Sequence, residues 1–140
     1  FDRETDINKK LPINNVTNSA ILNVAKSFLA DKEQYPPIYS AIKIKGEKLY
    51  KKARRGENIK LSPRKIKIKK FNITDINLPF IKCKICCSKG TYIRSIANDF
   101  GLKLNNVAHL YNLQRDSIGP YKLKDSISLE KLLNELCFNN

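Results

Sequence analysis

Apolar residues recur along this chain at two different spacings, and the spacing separates helices from strands. Between Thr17 and Ala30 the apolar positions Ile21, Leu22, Val24, Ala25, Phe28 and Leu29 follow a helical period, and Thr17 is placed to cap the helix with its hydroxyl. Tyr35-Pro36-Pro37 ends that pattern, because neither proline can continue a helical ladder. Tyr39 to Lys45 reads as a short strand. Glu47 to Arg55 reads as a short helix with Leu49, Tyr50 and Ala53 on one face and Gly56 as its stop. From Arg64 to Asp75 the period becomes two, with Lys65-Ile66-Lys67-Ile68-Lys69 predicting a half-buried strand with a wet, charged face. Ile81 to Cys87 alternates again, which turns Ile81, Cys83, Ile85 and Cys87 inward and Lys82, Lys84 and Cys86 outward. The polar link at Asn77-Leu78-Pro79 makes these two strands an antiparallel hairpin. Thr91 to Phe100 reads as a helix ending at Gly101, His109 to Arg115 as a strand, and Ser128 to Cys137 as a helix capped by Ser128 with Glu130 in its first turn. Neither an internal repeat nor a flexible linker interrupts this order. The expected class is α+β, a mixed, largely antiparallel sheet with flanking helices.

Composition narrows this picture. The 140 residues allow one ordinary domain, and 41% hydrophobic with 29% charged residues excludes disorder along the whole chain. Uninterrupted apolar runs are only a few residues long, too short to span a bilayer. The chain opens at Phe1-Asp2-Arg3 with neither Met nor a secretory leader, and so reads as the interior of a longer protein.

Charge changes the picture more. The formal net charge is +14, which favours a polyanionic partner. Lys, Asn and Ile fill over a third of the chain, however, and an AT-rich coding sequence would raise lysine without any partner. Location is the better guide. Residues 43–70 hold 13 basic and two acidic residues (Glu47 and Glu57), a local +11, whereas the other 112 residues carry +3. Uniform bias does not concentrate charge in this way. A polyanion-binding surface accounts for it, with a merely solvated lysine-rich face as the alternative.

Three stretches carry the residue types from which a site is built. Cys83, Cys86 and Cys87 cluster, but zinc sites need separated ligand pairs, and strand alternation turns Cys83 and Cys86 to opposite faces. With His109 and Cys137 far off, these thiols read as small apolar residues, and no metal is expected. In Cys87-Ser88-Lys89-Gly90-Thr91-Tyr92-Ile93-Arg94 a strand turns into a helix, with Gly90 permitting the tight backbone. Tyr92 offers a stacking face with a hydroxyl, and Arg94 a guanidinium that can hold a carboxylate or phosphate. A core tyrosine and a surface cation are the plainer alternatives. In Tyr35-Pro36-Pro37-Ile38-Tyr39-Ser40-Ala41-Ile42-Lys43 the prolines stiffen the backbone. Tyr39 beside basic residues is the aromatic-and-cation mixture used on unpaired bases, unless it simply packs at a strand start.

Taken in order, these residues resemble a known family. Pro36-Pro37-Ile38-Tyr39-Ser40-Ala41-Ile42-Lys43, Lys45-Gly46, Leu49-Tyr50 and Ala53-Arg54-Arg55-Gly56 are similar to the TruB family of tRNA pseudouridine synthases. So are Cys87-Ser88-Lys89-Gly90-Thr91-Tyr92-Ile93-Arg94, then Ala97, Asp99 and Gly101, and finally Ala108-His109-Leu110 with Leu113 and Arg115. The form of the Lys45-Gly46 and Leu49-Tyr50 motifs resembles the bacterial and organellar branch rather than the guide-RNA-dependent dyskerin branch.

The resemblance implies a pseudouridine synthase fold, incomplete at its N-terminus, in which residues 1–140 form the second half of the catalytic domain. It implies isomerisation of a T-loop uridine of tRNA, position 55, without cofactor or metal, in a cytoplasmic or organellar monomer that uses no membrane. The target base must be flipped out of its stack. By the resemblance, Arg94 pairs with the family's catalytic aspartate and keeps it charged, Tyr92 lies against the base and relays a proton, and Leu113 walls the pocket. Residues of about 36–70 correspond to a mobile thumb that closes on RNA. Tyr39, Lys43, Lys48 and Arg54 are then RNA contacts, joined by Lys89 and Arg115.

This sequence departs from the family pattern in two ways. The catalytic aspartate belongs to a Gly-x-Leu-Asp-Pro type motif, and none of Asp2, Asp6, Asp31, Asp75, Asp99, Asp116 or Asp125 has that context. It is expected upstream of Phe1, so residues 1–140 alone are expected to bind tRNA weakly without turnover. Gln114 also replaces one of two basic residues that often follow the leucine. Two rival readings remain at the level of sequence: a non-catalytic RNA-binding module derived from this fold, and a basic module for acidic membranes. The short helix at 47–55 offers little apolar area for the second.

Overall fold

The computed structural model describes Asp2 and residues 7–44, 46–59 and 61–137. Lys45 and Lys60 of the basic segment, and Asp6, lie outside the described residues. In chain order the elements are α1 (Asn18–Ser27), β1 (Ala30–Gln34), β2 (Lys43–Ile44), β3 (Glu47–Lys48), α2 (Leu49–Arg54), β4 (Arg64–Asn77), β5 (Phe80–Cys87), α3 (Ile93–Lys103), β6 (Ser117–Ile118), β7 (Tyr121–Lys122) and α4 (Leu129–Cys137). A three-stranded sheet, ordered β1-β4-β5 and antiparallel throughout, carries the core; β2-β3 and β6-β7 are separate two-stranded pairs. This is the α+β class that the periodicity implied.

The long central strand keeps its apolar residues on one face by breaking its own alternation. Register shifts fall between Ile68 and Lys70 and between Ile73 and Asp75, each leaving an extra residue on β4. Strict alternation from Ile66 and Ile68 would send Phe71 outward. The first bulge resets the phase, so Ile66, Ile68 and Phe71 are buried together, and Ile73 and Ile76 extend the same cluster. Lys65, Lys67, Lys69 and Lys70 remain exposed, as the pattern predicts.

Helices α1 and α3 cover that face. Thr17 caps α1, its Oγ1 accepting from the Ala20 N–H at 3.2 Å, and Ile21 and Ala25 point into the core. Phe28, Phe71 and Phe100, one each from the end of α1, from β4 and from α3, form a triangle of rings with centroids 5.5–6.0 Å apart.

The structure corrects several expectations. Helix α1 ends at Ser27 rather than Ala30, and Ala30, at φ 89°, turns the chain into a strand that the sequence pattern missed. Strand β1 buries only Gln34, so no alternation marks it. Among the described residues of the 39–45 stretch, only Lys43–Ile44 pair as a strand, and Ser40 N–H donates to Ile38 O, closing a turn before them. Glu47 pairs in β3, and α2 begins at Leu49; Gly56, at φ 72°, does end it.

Gly101 does not stop α3, which runs to Lys103; its role is close approach. A Cβ there would lie 2.7 Å from the Val107 carbonyl carbon and 2.9 Å from Ala108 Cβ. Residues 109–115 make no strand, only a parallel bridge from Leu110 to Asp2, and Asn112 Oδ1 takes the Leu113 N–H instead. Cys83 shares the face of Ile81 and Ile85, which pack against the core, yet is itself exposed rather than inward, because its short side chain lies opposite Ile73 just past the second register shift of β4 and does not reach the cluster. The β6-β7 hairpin around Gly119-Pro120 was not foreseen either.

The terminal helix matches its expected start, with Ser128 Oγ accepting from the Lys131 N–H at 3.2 Å. Among the described residues no helix is long and apolar enough to cross a membrane.

Candidate active site and nucleic-acid surface

The strand-to-helix junction that stands out in sequence is held rigidly. Ser88 extends the ladder beyond β5: its N–H donates to Lys67 O at 2.8 Å, and its Oγ accepts from Lys67 N–H at 2.9 Å. Gly90 adopts φ 83°, a conformation that side chains disfavour, and Thr91 Oγ1 donates to Ser88 O at 2.9 Å. Lys89 projects from this turn into solvent. Tyr92 then occupies the N-cap of α3 in an extended conformation, and Arg94 lies in the first turn.

A second segment, residues 34–39, docks onto that first turn at three points. The Gln34 carboxamide pairs with both backbone groups of Tyr92: Tyr92 N–H donates to Oε1 at 2.8 Å, and Nε2 donates to Tyr92 O at 3.0 Å. Ser95 Oγ donates to Tyr35 O at 2.9 Å. Arg94 Nη2 donates to Tyr39 O at 3.1 Å, which brings Tyr39 and Arg94 together although 55 residues separate them. The other guanidinium nitrogen, Nη1, donates to Asp2 Oδ2 at 3.0 Å. Arg94 is thus a half-buried cation shared between a carboxylate and a carbonyl, with its side chain 31% exposed.

The remaining predicted residues divide into two groups. Leu113 is 57% exposed and, like Arg115, lies in the irregular stretch after Leu110. That stretch is tied to the site through the Leu110–Asp2 bridge, since Asp2 holds Arg94. Lys43 and Lys48 face each other directly across β2-β3. Lys48 Nζ lies 5.9 Å from the centre of the Tyr50 ring, and the Arg54 guanidinium carbon 5.6 Å from it.

The two acidic residues of the basic segment are both turned inward on it. Arg55 grips Glu47 with two bonds and Glu57 with two more, and Lys52 lies 3.7 Å from Glu47 and 3.3 Å from Glu57. Hydrogen bonding to Arg55 holds Glu47 at a pKa of about 2, and it lowers Glu57 as well. Lys43, Lys48 and Arg54 are exposed, and the nearby acids are engaged by Lys52 and Arg55 instead.

Sequence reasoning missed Gln34, Ser95 and Asp2. Gln34 and Ser95 are buried polar residues (4% and 2% exposed), and hydropathy patterns are silent about where a buried amide or hydroxyl points. Cys83, Cys86 and Cys87 form no disulfide with one another; the Cys137 side chain is not among those described. Among the described residues no group of three or more His, Cys, Asp or Glu side chains is placed to hold a metal ion.

Comparison with known proteins gives this arrangement a context. Residues 1–93 match the family model described as the TruB family pseudouridylate synthase, N-terminal domain. The chain belongs to that family. The tRNA pseudouridine synthase B of Flavobacterium johnsoniae is 45% identical over 129 residues, covering 92% of this chain and 56% of the relative. The protein of the same name from Clostridium tetani is 40% identical over 135 residues, covering 96% and 47%. That of Clostridium acetobutylicum is 46% identical over 134 residues, covering 94% and 45%. The chain thus spans about half the length of the curated relatives it matches. TruB membership agrees with the resemblance carried by the Tyr39 and Tyr92 motifs, and the structure joins those two motifs at Arg94.

Proposed function

We propose that the protein is a tRNA pseudouridine synthase, isomerising a uridine of the T-arm, position 55, to pseudouridine, and that residues 1–140 are the second half of its catalytic domain. The observation that carries this reading is the meeting of Tyr39, Tyr92 and Arg94 beside a surface whose acids are already engaged. Family membership supplies the chemistry. The C1′–N1 bond breaks, the base turns, and C5 joins C1′; the proton leaving C5 is balanced by one gained at N1, so no redox partner, cofactor or metal is required.

Each residue then has a physical task. Arg94, already holding one carboxylate, steadies the aspartate on which the family's reaction depends. In a partly water-excluded site that contact keeps the acid ionised. Tyr92 lies against the flipped base and relays its proton, and Leu113 closes one wall. Tyr39 gives a stacking face; the stacking of one base is worth about 1–3 kcal/mol. Lys43, Lys48, Arg54, Lys89 and Arg115 take phosphates of the T-arm, a contribution that weakens with salt. The working unit is a cytoplasmic monomer.

Chemistry at C5 supplies the test. The intact protein is given a T-arm RNA tritiated at uridine C5, and release of tritium to water is followed. Release at a single uridine is expected. RNA that shifts in a gel without any release would replace the enzyme by a binding module, and no shift at all would remove the RNA reading. Vesicles of acidic lipid should not retain the protein.

A further inference from the structure

Beyond these residues the site depends on Gln34, which no motif marks. It is the last residue of β1 and that strand's single buried position. Among the described residues its carboxamide is hydrogen-bonded to no side chain. Both of its ends are spent on the backbone of one residue, Tyr92, 58 positions away.

Tyr92 needs such a partner. It is the N-cap of α3, and its own N–H, like the others at a helix start, has no partner within the helix. Its carbonyl already accepts from Ile96 N–H at 3.1 Å, and Gln34 Nε2 takes the second lone pair. With both peptide groups of Tyr92 pinned, the Cα–Cβ direction of the tyrosine is fixed against the sheet. The same segment holds Arg94 through Tyr39 O and the residue after it, Ser95, whose Oγ donates to Tyr35 O.

We infer that Gln34 is a positioning residue of the catalytic site, which sets the direction of the Tyr92 ring, and so of Arg94 two residues on, relative to the target uridine. An apolar side chain would fill the same space in the core. The carboxamide is distinguished by supplying one donor and one acceptor in the spacing of a peptide group. The inference rests on the proposed activity, and its test separates the two.

Two variants of the intact protein are compared with the unaltered one in the tritium-release assay, at a temperature where all three are fully folded by circular dichroism. Gln34→Leu keeps the volume and removes both bonds. Its kcat is expected to fall about 10²-fold, the scale of a misplacement of about 1 Å, with Kd for T-arm RNA within twofold. Gln34→Glu keeps the shape and the acceptor, and it recovers a donor only when its carboxyl is protonated. Its kcat relative to the unaltered protein should therefore rise as pH is lowered. Lowered thermal stability with kcat unchanged in both variants would reduce Gln34 to a packing role and overturn the inference, as would a flat pH ratio for Gln34→Glu. Absence of release by the unaltered protein would instead strike the proposed activity itself.

Discussion

Arg55 clasps Glu47 through two parallel hydrogen bonds, Nη1 to Oε1 at 2.6 Å and Nη2 to Oε2 at 2.8 Å. The same guanidinium reaches Glu57 Oε1 from Nε at 2.8 Å and from Nη2 at 2.6 Å. Across this pairing the residue at the start of β3, the end of α2 and the loop beyond it become one unit. For the RNA surface proposed above that matters, because a free glutamate there would repel phosphate.

The pairing has a pH signature. Glu47 is held at about 2, below the ordinary 4.5, chiefly by its hydrogen bond to Arg55. A carboxylate with a depressed folded pKa stabilises the fold above its unfolded value, and that contribution is lost as pH falls from about 4.5 toward 2. The 47–57 unit should therefore keep its Arg55 contacts at pH 4.5 and shed them near pH 2. Side-chain carboxyl NMR of Glu47 would check this; a midpoint at the ordinary glutamate value would show the clasp is not formed in solution.

Arg94 divides its donors between Asp2 Oδ2 and Tyr39 O, one from each terminal nitrogen. A lysine ammonium is a single point and does not reproduce that planar fork. Arg94→Ala should lower kcat by about 10²-fold or more while leaving RNA affinity nearly intact, and Arg94→Lys should recover little of it. Single-turnover kinetics with a parallel binding titration separates the terms. If affinity falls and the rate of bound RNA does not, Arg94 is a phosphate contact instead.

Gly101 sets two ordinary rules against each other. Inside a helix, Gly→Ala is worth roughly 1 kcal/mol in favour of alanine. Here the added methyl would press on the Val107 carbonyl carbon at 2.7 Å and on Ala108. Main chain cannot move aside as a side-chain tip can, and overpacking of this kind costs about 1–3 kcal/mol. Gly101→Ala should lower the urea midpoint; an unchanged or higher midpoint would mean that the 107–108 loop yields freely.

What could be read in the sequence was what periodicity encodes. Helix α1 with its Thr17 cap, the β4-β5 hairpin and the Gly90 junction all follow from spacing and from residues with one strong conformational preference. Strand β1 did not, because as an edge strand it exposes four of its five residues and carries no period. The bulges in β4 were equally hidden: only the finished pairing shows that Phe71 belongs with Ile68. At the site, motifs named Tyr39, Tyr92 and Arg94 one by one. Their assembly depends on Gln34 and Ser95, buried polar groups whose partners are about 60 residues distant, and no local pattern records such pairings.

Lys43 and Lys48 stand opposite one another in the β2-β3 pair, where like charges are destabilising by a few tenths to about 1 kcal/mol. A fold with no use for that repulsion gains by losing it, whereas a phosphate placed between two such lysines turns it to advantage. Lys43→Glu therefore separates stability from binding. It should hold or raise the thermal midpoint, since it sets a carboxylate against Lys48, and it should weaken T-arm RNA binding. Lys43→Ala should reduce the slope of log affinity against log salt by about 0.7–0.9, the contribution of one neutralised phosphate. Binding isotherms at several salt concentrations, with a melting curve for each variant, give both quantities. Affinity and salt slope that stay at their original values in both variants would show that this end of the basic segment faces solvent and not RNA.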